Sequence, residues 1–139
     1  MDLLLINTQF DPRGFNRQLK NQRDSLLKAD DIPHIGLAYL HAMAIKHKIK
    51  SQVLNFTTEG WTFDGLLKHI AATKPLVIGF TAFTVQIKTA GEMAARIKDQ
   101  FPSIVIGVGG AHATAMPLET LEEFPGFDFA VRGEAEEIL

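Results

Sequence analysis

A glycine pair and a small polar cluster follow the apolar run 104–106, and these residue types are well suited to bind a ligand. Gly109 and Gly110 carry no Cβ atom where the run ends, so the backbone can take a positive φ and another group can approach its peptides closely. His112 and Thr114 follow at once. The pattern indicates either a binding site at this turn or a tight strand-to-helix connection that binds nothing.

Polar or glycine residues also follow other apolar runs that read as strands. They are Asn7 and Thr8 after the first run, Thr81 and Thr84 after the third, and Gly133 and Glu134 after the fifth. Because the carboxyl ends of parallel strands meet at one edge of a sheet, we expect these residues to converge there. The threonine hydroxyls could bond a ligand or simply cap the next helix. The last pair could equally be a helix start, where an acid suits the positive end of the dipole.

The composition excludes several classes of protein. The net charge is -2 and the pI is near 6.2, so nothing indicates a nucleic-acid surface. The chain has no cysteine, which excludes a disulfide, a thiolate zinc site and an iron–sulfur cluster held by its own residues. The first residues lack a basic leader, and no segment approaches the ~20 apolar residues of a membrane span. We therefore expect a cytoplasmic protein without a membrane span.

Short apolar runs alternate with amphipathic segments along the chain. We predict strands at 3–6, 52–56, 76–81, 104–106 and 127–131, and helices at 34–48, 61–73, 87–101 and 117–124. The β-branched run at 104–106 suits a strand that is buried on both faces. Residues 8–33 are polar and too long for an ordinary connection, so we expect them to be functional or mobile, with a short helix at 17–28 allowed by propensity.

This alternation predicts an α/β fold of the flavodoxin-like, Rossmann-type class, with a five-stranded parallel sheet in the order 2-1-3-4-5 and helices on both faces. Three helices would cover one face. The first helix would share the other face with a fifth helix, of which the sequence contains only the beginning. We therefore expect residues 1–139 to form one domain, an N-terminal piece of a longer protein. Part of the face beside the first helix should be bare, or covered by residues 8–33 or a second subunit.

Four motifs carry a resemblance to a known family: HIGLAYL at 34–40, GFTAFT at 79–84, GGAHAT at 109–114 and GEAE at 133–136. In their order and spacing they resemble the N-terminal cobalamin-binding domain of B12-binding radical S-adenosylmethionine enzymes. The resemblance implies a corrinoid held against the carboxyl edge of the sheet, with its nucleotide tail beside the third and fourth strands. The candidate site then comprises Asn7, Thr8, Thr81, Ala82, Thr84, Gly109, Gly110, His112, Ala113, Thr114, Gly133 and Glu134.

The resemblance also implies roles for these residues. Thr81 and Thr84 would contact the nucleotide tail, and the glycine pair would let it pass. The residues 112–114 would lie beside the tail or the corrin rim. On this interpretation, Gly110→Val should abolish corrinoid retention and leave the fold intact.

The chain departs from the family pattern at two places. Other B12-binding domains carry Asp-x-His-x-x-Gly after the first strand, and that histidine becomes the lower ligand of cobalt. Residues 8–33 contain no histidine, and His34 stands where relatives often have proline. We therefore expect a base-off cobalamin without a histidine ligand. Ala135 stands where relatives have glycine, and its Cβ atom would weaken the site there.

The resemblance divides the chemistry between two parts of a longer protein. Radical generation needs an iron–sulfur cluster held by three cysteines, so this chain cannot be catalytic alone. The 4Fe-4S cluster and S-adenosylmethionine would belong to a C-terminal radical domain of the same protein. The whole would perform methyl transfer or a ring-forming reaction of the tetrapyrrole cyclase type.

Other functions of the same fold lack their characteristic residues. A phosphoacceptor receiver domain needs an aspartate after the third strand, where Thr81 stands. A dinucleotide-binding glycine motif would follow the first strand, whereas here Gly107 and Gly109 belong to the fourth. Flavin binding would need a phosphate loop rich in serine and threonine after the first strand, and residues 7–9 contain a single threonine. The histidines on the predicted helices are not spaced as metal ligands. The alternative that stays open is a degenerate B12-binding fold that acts as a docking module without cofactor.

Overall fold

The computed structural model describes residues 1–8 and 34–135. The predictions for 9–33, including the short helix at 17–28, lie outside the described residues, as do residues 136–139. Within the described part, no helix combines the length and hydropathy needed to cross a membrane.

Strands and helices alternate along the described chain. The strands are β1 (Leu3–Asn7), β2 (Ser51–Asn55), β3 (Val77–Thr81), β4 (Val105–Gly109) and β5 (Phe129–Ala130). The helices are α1 (Ile35–Lys46), α2 (Phe56–Glu59), α3 (Phe63–Thr73), α4 (Ile87–Gln100), α5 (Ala111–Ala115) and α6 (Pro117–Glu123). The predicted long helices are present with ends that differ by at most two residues, whereas α2 and α5 are short helices that were not predicted.

The strands form one parallel sheet in the order β2-β1-β3-β4-β5. The predicted order 2-1-3-4-5 and the flavodoxin-like class are therefore confirmed. The register aligns Asn7 of β1 with Asn55, with Thr81 and, through β3, with Gly109. The four strand ends thus lie level at the carboxyl edge, where the candidate residues were expected to meet.

One face of the sheet is densely packed. Leu4, Ile6, Ile78 and Ile106 point into a core whose other wall comes from α3, α4 and α5. Helix α4 supplies buried side chains at the spacings of three and four that predicted it. Edge-on contacts of Phe127 with two neighbouring rings close the core. We call this side the packed face.

The opposite face carries one described helix. Leu3 and Leu5 of β1 pack there against Leu37 and Ala44 of α1. Past β3, no described helix covers the strands on this side, and Val105 is 42% exposed. The prediction that the 104–106 run is buried on both faces is therefore wrong, because only one face of β4 has a helix over it. We call this side the open face, and among the described residues α1 is the helix that covers it.

Two large apolar side chains on the helices point outward rather than into the core. Ile45 of α1 is 60% exposed rather than packed with Leu40 and Ala44. Leu118 of α6 is 71% exposed, and Thr120 is the residue of that helix buried in its place. The buried residue is one position before the bulkier apolar side chain in α1 and two positions after it in α6.

The short strand β5 is held at its amino end by a charged cluster. Asp128 Oδ2 accepts from the Ile106 amide at 2.7 Å and pairs with Lys98 Nζ at 2.7 Å. Desolvation alone would raise the pKa of Asp128, but the hydrogen bonds from Lys98 and the Ile106 amide, with the Lys98 charge, outweigh it and hold the pKa below its usual value. This anchor fixes the next residue, Phe129, over β4.

Candidate functional site

An apolar cleft of about 250 Å³ lies on the open face near the carboxyl edge of the sheet. Its walls come from β1, the start of α1, β3, β4, β5 and the residues 133–135. Leu5, Val77 and Phe129 give it an apolar lining. The cleft therefore lies where open α/β sheets bind ligands, at the carboxyl ends of the strands.

Missing Cβ atoms create much of this cleft. A Cβ atom on Gly79 would lie 3.0 Å from Leu5 Cδ2, and one on Gly107 would lie 2.3 Å from Phe129 Cζ, because that ring lies over the Gly107 backbone. A Cβ atom on Gly109 would meet only Val131 Cβ, at 3.7 Å. Bare backbone at Gly79 and Gly109 thus forms a surface that a flat apolar group can approach closely, whereas the Phe129 ring covers Gly107.

The turn after β4 is built around Gly110, which has φ 95° and ψ -172°. A Cβ atom there would lie 2.9 Å from both the Ala82 carbonyl oxygen and Thr81 Oγ1. The loop after β3 is also tied to this turn, since the Ala82 amide donates to the Gly109 carbonyl and the His112 amide to the Ala82 carbonyl. Gly110 is therefore required by the chain's own packing, and the expectation that Gly110→Val leaves the fold intact is wrong.

Thr84 and His112 join the two loops outside the cleft. His112 Nδ1 lies 3.1 Å from Thr84 Oγ1. Neither Thr81 nor Thr84 caps α4. The N-cap residue of α4 is Gln86, and its side chain makes no capping hydrogen bond to that helix. Thr114 Oγ1 accepts from the Gly133 amide at 3.1 Å, so it positions the chain after β5.

A chain of amides joins the ends of β1 and β2 to the start of α4. Asn7 Nδ2 donates to Asn55 Oδ1 at 3.3 Å, and Gln86 Nε2 donates to Asn7 Oδ1 at 3.3 Å and to the Thr8 carbonyl at 2.7 Å. The Thr8 hydroxyl is buried and has no hydrogen-bond partner within the described part of the chain. Sequence reasoning missed Gln86, because a glutamine in a loop carries no signal of its own.

The structure separates the candidate residues into two groups. Those that line the cleft are Thr81, Gly109, Gly110, Gly133 and Glu134. Those outside its lining are Asn7, Thr8, Ala82, Thr84, His112, Ala113 and Thr114, and the two alanine side chains are buried in the core of the packed face. Gly107 belongs to the same glycine turn in the sequence, but neither it nor Gly79 was among the candidate site residues, although glycines at 107 and 109 alternate as residues on one face of a strand do.

His34 forms one wall of the cleft at the start of α1. Its Nδ1 accepts from the Leu37 amide at 3.3 Å and so caps the helix, and the ring lies over Gly36. Burial lowers the pKa of His34, with its own backbone hydrogen bond opposing the shift. In the neutral ring that accepts at Nδ1, the proton is on Nε2, so neither nitrogen has a free lone pair for a metal. Among the described residues, no three His, Asp or Glu side chains are grouped to hold a metal ion.

A protein-family model decides what kind of domain this is. The model described as a B12 binding domain matches residues 28–139. The chain belongs to the B12-binding domain family. This match confirms the resemblance found in the motifs. The cleft on the open face is therefore a cleft of a B12-binding domain.

Curated relatives of this B12-binding domain are much longer proteins. An uncharacterized methyltransferase of Pyrococcus horikoshii is 33% identical over 104 residues, covering 75% of this chain and 22% of the relative. The anaerobic magnesium-protoporphyrin IX monomethyl ester cyclase of Rubrivivax gelatinosus is 37% identical over 76 residues, covering 55% of this chain and 14% of the relative. The chain therefore spans less than a quarter of the length of these relatives.

A solved structure shares the fold. It is the apo form of the cobalamin-dependent S-adenosylmethionine radical enzyme OxsB, with a TM-score of 0.67 and 18% sequence identity over 97% of this chain and 17% of that one. At that identity the likeness concerns the architecture, which agrees with the strand order seen here.

The cleft fits part of a corrinoid. Its volume lies below the roughly 300–1,000 Å³ of pockets that enclose a whole drug-sized ligand, so it suits an appendage rather than a complete macrocycle. Cβ atoms at Gly79, Gly107 or Gly109 would project into it or displace its walls. Its apolar walls and its Thr81 hydroxyl match a flat aromatic base attached to a polar linker.

Proposed function

We propose that this domain binds cobalamin with its nucleotide tail in the cleft of the open face and its corrin ring at the carboxyl edge of the sheet. The observation that carries the proposal is the glycine-floored apolar cleft that opens at that edge. The family membership supports the identity of the ligand.

The residues of the cleft would divide the work of holding the tail. The bare backbone of Gly79 and Gly109 would face the flat base, and the Phe129 ring, which covers Gly107, would pack beside it. The Thr81 hydroxyl would hydrogen-bond the polar linker, while the Thr84–His112 pair would support the loop rim above it. When bound, a corrinoid supplies a cobalt atom that can carry a methyl group, and the protein supplies binding, orientation and shielding.

We further propose that cobalamin binds base-off and without a histidine ligand. His34 is the described histidine in the cleft wall, and its Nδ1 is engaged by the Leu37 amide. A ring in that state offers cobalt no lone pair. The absence of histidine from residues 8–33 points the same way.

The activity of the longer protein is also a proposal. We propose that this domain stands at the N-terminal side of a radical domain that binds a 4Fe-4S cluster and S-adenosylmethionine, in a cytoplasmic enzyme that transfers a methyl group or closes a tetrapyrrole ring. The two curated relatives, a methyltransferase and a magnesium-protoporphyrin IX monomethyl ester cyclase, support these two reaction types. The coding sequence after residue 139 should then contain Cys-x-x-x-Cys-x-x-Cys, and its absence would remove the radical part of the proposal.

Binding is tested on the purified protein with hydroxocobalamin, followed by gel filtration and measurement of corrin absorbance in the protein peak. Gly109→Leu should reduce the retained corrinoid at least about tenfold, since a Cβ atom there meets only Val131 Cβ, at 3.7 Å, and the rest of the leucine side chain would compete with the ligand for the cleft. Ala71→Leu, on the exposed side of α3, adds nearly as much bulk away from the cleft and should bind like the wild type.

Two results would contradict the proposal. A wild-type protein that retains no corrinoid would leave the docking-module alternative, in which the cleft receives no cofactor. A Gly109→Leu protein that binds like the wild type would place the tail elsewhere.

A dimer through the open face beside α1 is a further proposal, supported by the exposed Val105. Light scattering should then show two copies without cobalamin, and a monomer would exclude the dimer.

A further inference from the structure

Gln86 joins two loops at the carboxyl edge of the sheet with a single buried side chain. Its Oε1 accepts from the Phe83 amide at 3.0 Å, and its Nε2 donates to the Thr8 carbonyl at 2.7 Å and to Asn7 Oδ1 at 3.3 Å. The residue is 4% exposed. It therefore links the chain leaving β1 to the loop that follows β3.

The Gln86 hydrogen bonds connect the chain beyond β1 to the chain beyond β3, past the last backbone pairing of the two strands. The register pairs Asn7 of β1 with Thr81 of β3, and beyond them the two strands no longer bond to each other. The Gln86 amide spans the gap because one end accepts and the other donates. No other side chain of similar size offers both functions at this length without a charge.

The loop held in this way presents apolar side chains to solvent. Phe83 is 52% exposed and Val85 is 46% exposed, on either side of Thr84. Covering these two side chains with an apolar ligand surface would remove them from water, which is favourable. The Gln86 bond to the Phe83 amide and the Thr84–His112 contact restrain the loop from both ends.

We propose that Gln86 is a positioning residue for cobalamin: it fixes the 82–85 loop so that Phe83 and Val85 face the corrin ring. The inference rests on the proposed function, since the ring is what would cover the two exposed side chains. Gln86 does not touch the ring itself, because it is buried behind the loop that it orients.

The test compares hydroxocobalamin affinity with local amide exchange in the purified protein. Gln86→Met keeps the size of the side chain but makes neither hydrogen bond. It should weaken binding by about tenfold or more, as loss of a residue that orients ligand-contacting groups commonly does. It should also speed exchange of the Phe83 amide while amides of β1 and β4 stay protected. Gln100→Met, at the exposed far end of α4, is the matched control and should change neither quantity.

Gln86→Glu provides a second, independent measurement. A protonated glutamic acid can accept from the Phe83 amide and donate to the Thr8 carbonyl, whereas the carboxylate cannot donate. The ratio of variant to wild-type affinity should therefore rise toward one as the pH is lowered. This pH-dependent rescue tests the two-sided bond even where Gln86→Met fails to fold.

The outcomes separate this inference from the proposed function. A wild-type protein without affinity for hydroxocobalamin overturns the proposed function and the inference with it. A wild-type protein that binds, together with Gln86→Met of equal affinity or Gln86→Glu whose affinity ratio ignores pH, overturns the inference alone. Weaker binding in Gln86→Met with exchange increased throughout the sheet also overturns it, because Gln86 would then serve stability rather than loop position.

Discussion

Alternate residues of the same strands point to the two faces of the sheet, and the two faces have different roles. On β4, Ile106 and Val108 point into the packed face and are almost fully buried, whereas Val105, Gly107 and Gly109 belong to the open face. The packed face is filled by three helices and by large side chains. Within residues 1–8 and 34–135 the open face has one helix, and toward β4 glycines take the place of larger side chains.

This difference shows how a short strand can serve stability and binding at once. Side chains alternate in direction along a strand, so removing Cβ atoms at every second position empties one face and leaves the other intact. The protein can therefore hold an apolar cleft open because the packed face supplies the hydrophobic burial. Substitutions that act on one face at a time can measure what each face contributes to stability and to binding.

The largest expected effect comes from neighbouring residues on opposite faces of β4. Ile106→Ala should lower the free energy of unfolding by about 2–5 kcal/mol, because it leaves a cavity in a packed core. Val105→Ala removes a side chain that is 42% exposed, so the loss should stay below about 1 kcal/mol. Urea denaturation of both variants measures the two values. Equal losses would mean that the open face carries as much of the stability as the packed one.

An intermediate effect is expected from the two adjacent glycines at the end of β4. Gly110→Ala should cost about 1–3 kcal/mol of stability, because the residue has φ 95° and its new Cβ atom would press on the Ala82 carbonyl. Gly109→Ala has room for its methyl group and should change stability by less than about 0.5 kcal/mol. Thermal denaturation of both variants measures the difference. If both are equally tolerated, the turn can rearrange and its glycine serves the ligand instead.

The sequence predicted the fold better than the site. Alternating apolar runs and amphipathic helices were enough for the strand order, because βαβ crossovers have one handedness and five strands leave few arrangements. The edge where the site lies followed from the same topology.

The contacts that shape the site depend on distances that no local pattern encodes. Gly110 looks in sequence like a passage for a ligand, but its space is occupied by Ala82 and Thr81, which are far away in the chain. Gln86 carries no motif, yet it bonds to residues almost eighty positions earlier. Phe129 lies over Gly107 only because β5 pairs with β4 in that register.

The smallest expected effect concerns the pH dependence of the open face through His34. Burial lowers the pKa of this residue, so the folded protein keeps it neutral at pH values where the unfolded chain, with a pKa of about 6.5, already binds a proton. The unfolded state is therefore stabilised relative to the folded state as the pH falls below 6.5. Protonation also removes the Nδ1 acceptor that caps α1. Asparagine caps helices but does not titrate in this range.

His34→Asn should accordingly match the wild type near pH 7.5 and become the more stable protein by up to about 1 kcal/mol near pH 5, the size of one capping bond. Denaturant midpoints across this range give the difference, and the remaining histidines cancel because they are common to both proteins. Asp128 titrates at a more acidic pH because its pKa is held low, so it does not contribute in this window. Parallel stability curves for the two proteins would show that His34 is as accessible to protons in the folded state as in the unfolded chain, and that the wall of the cleft beside α1 is open to water.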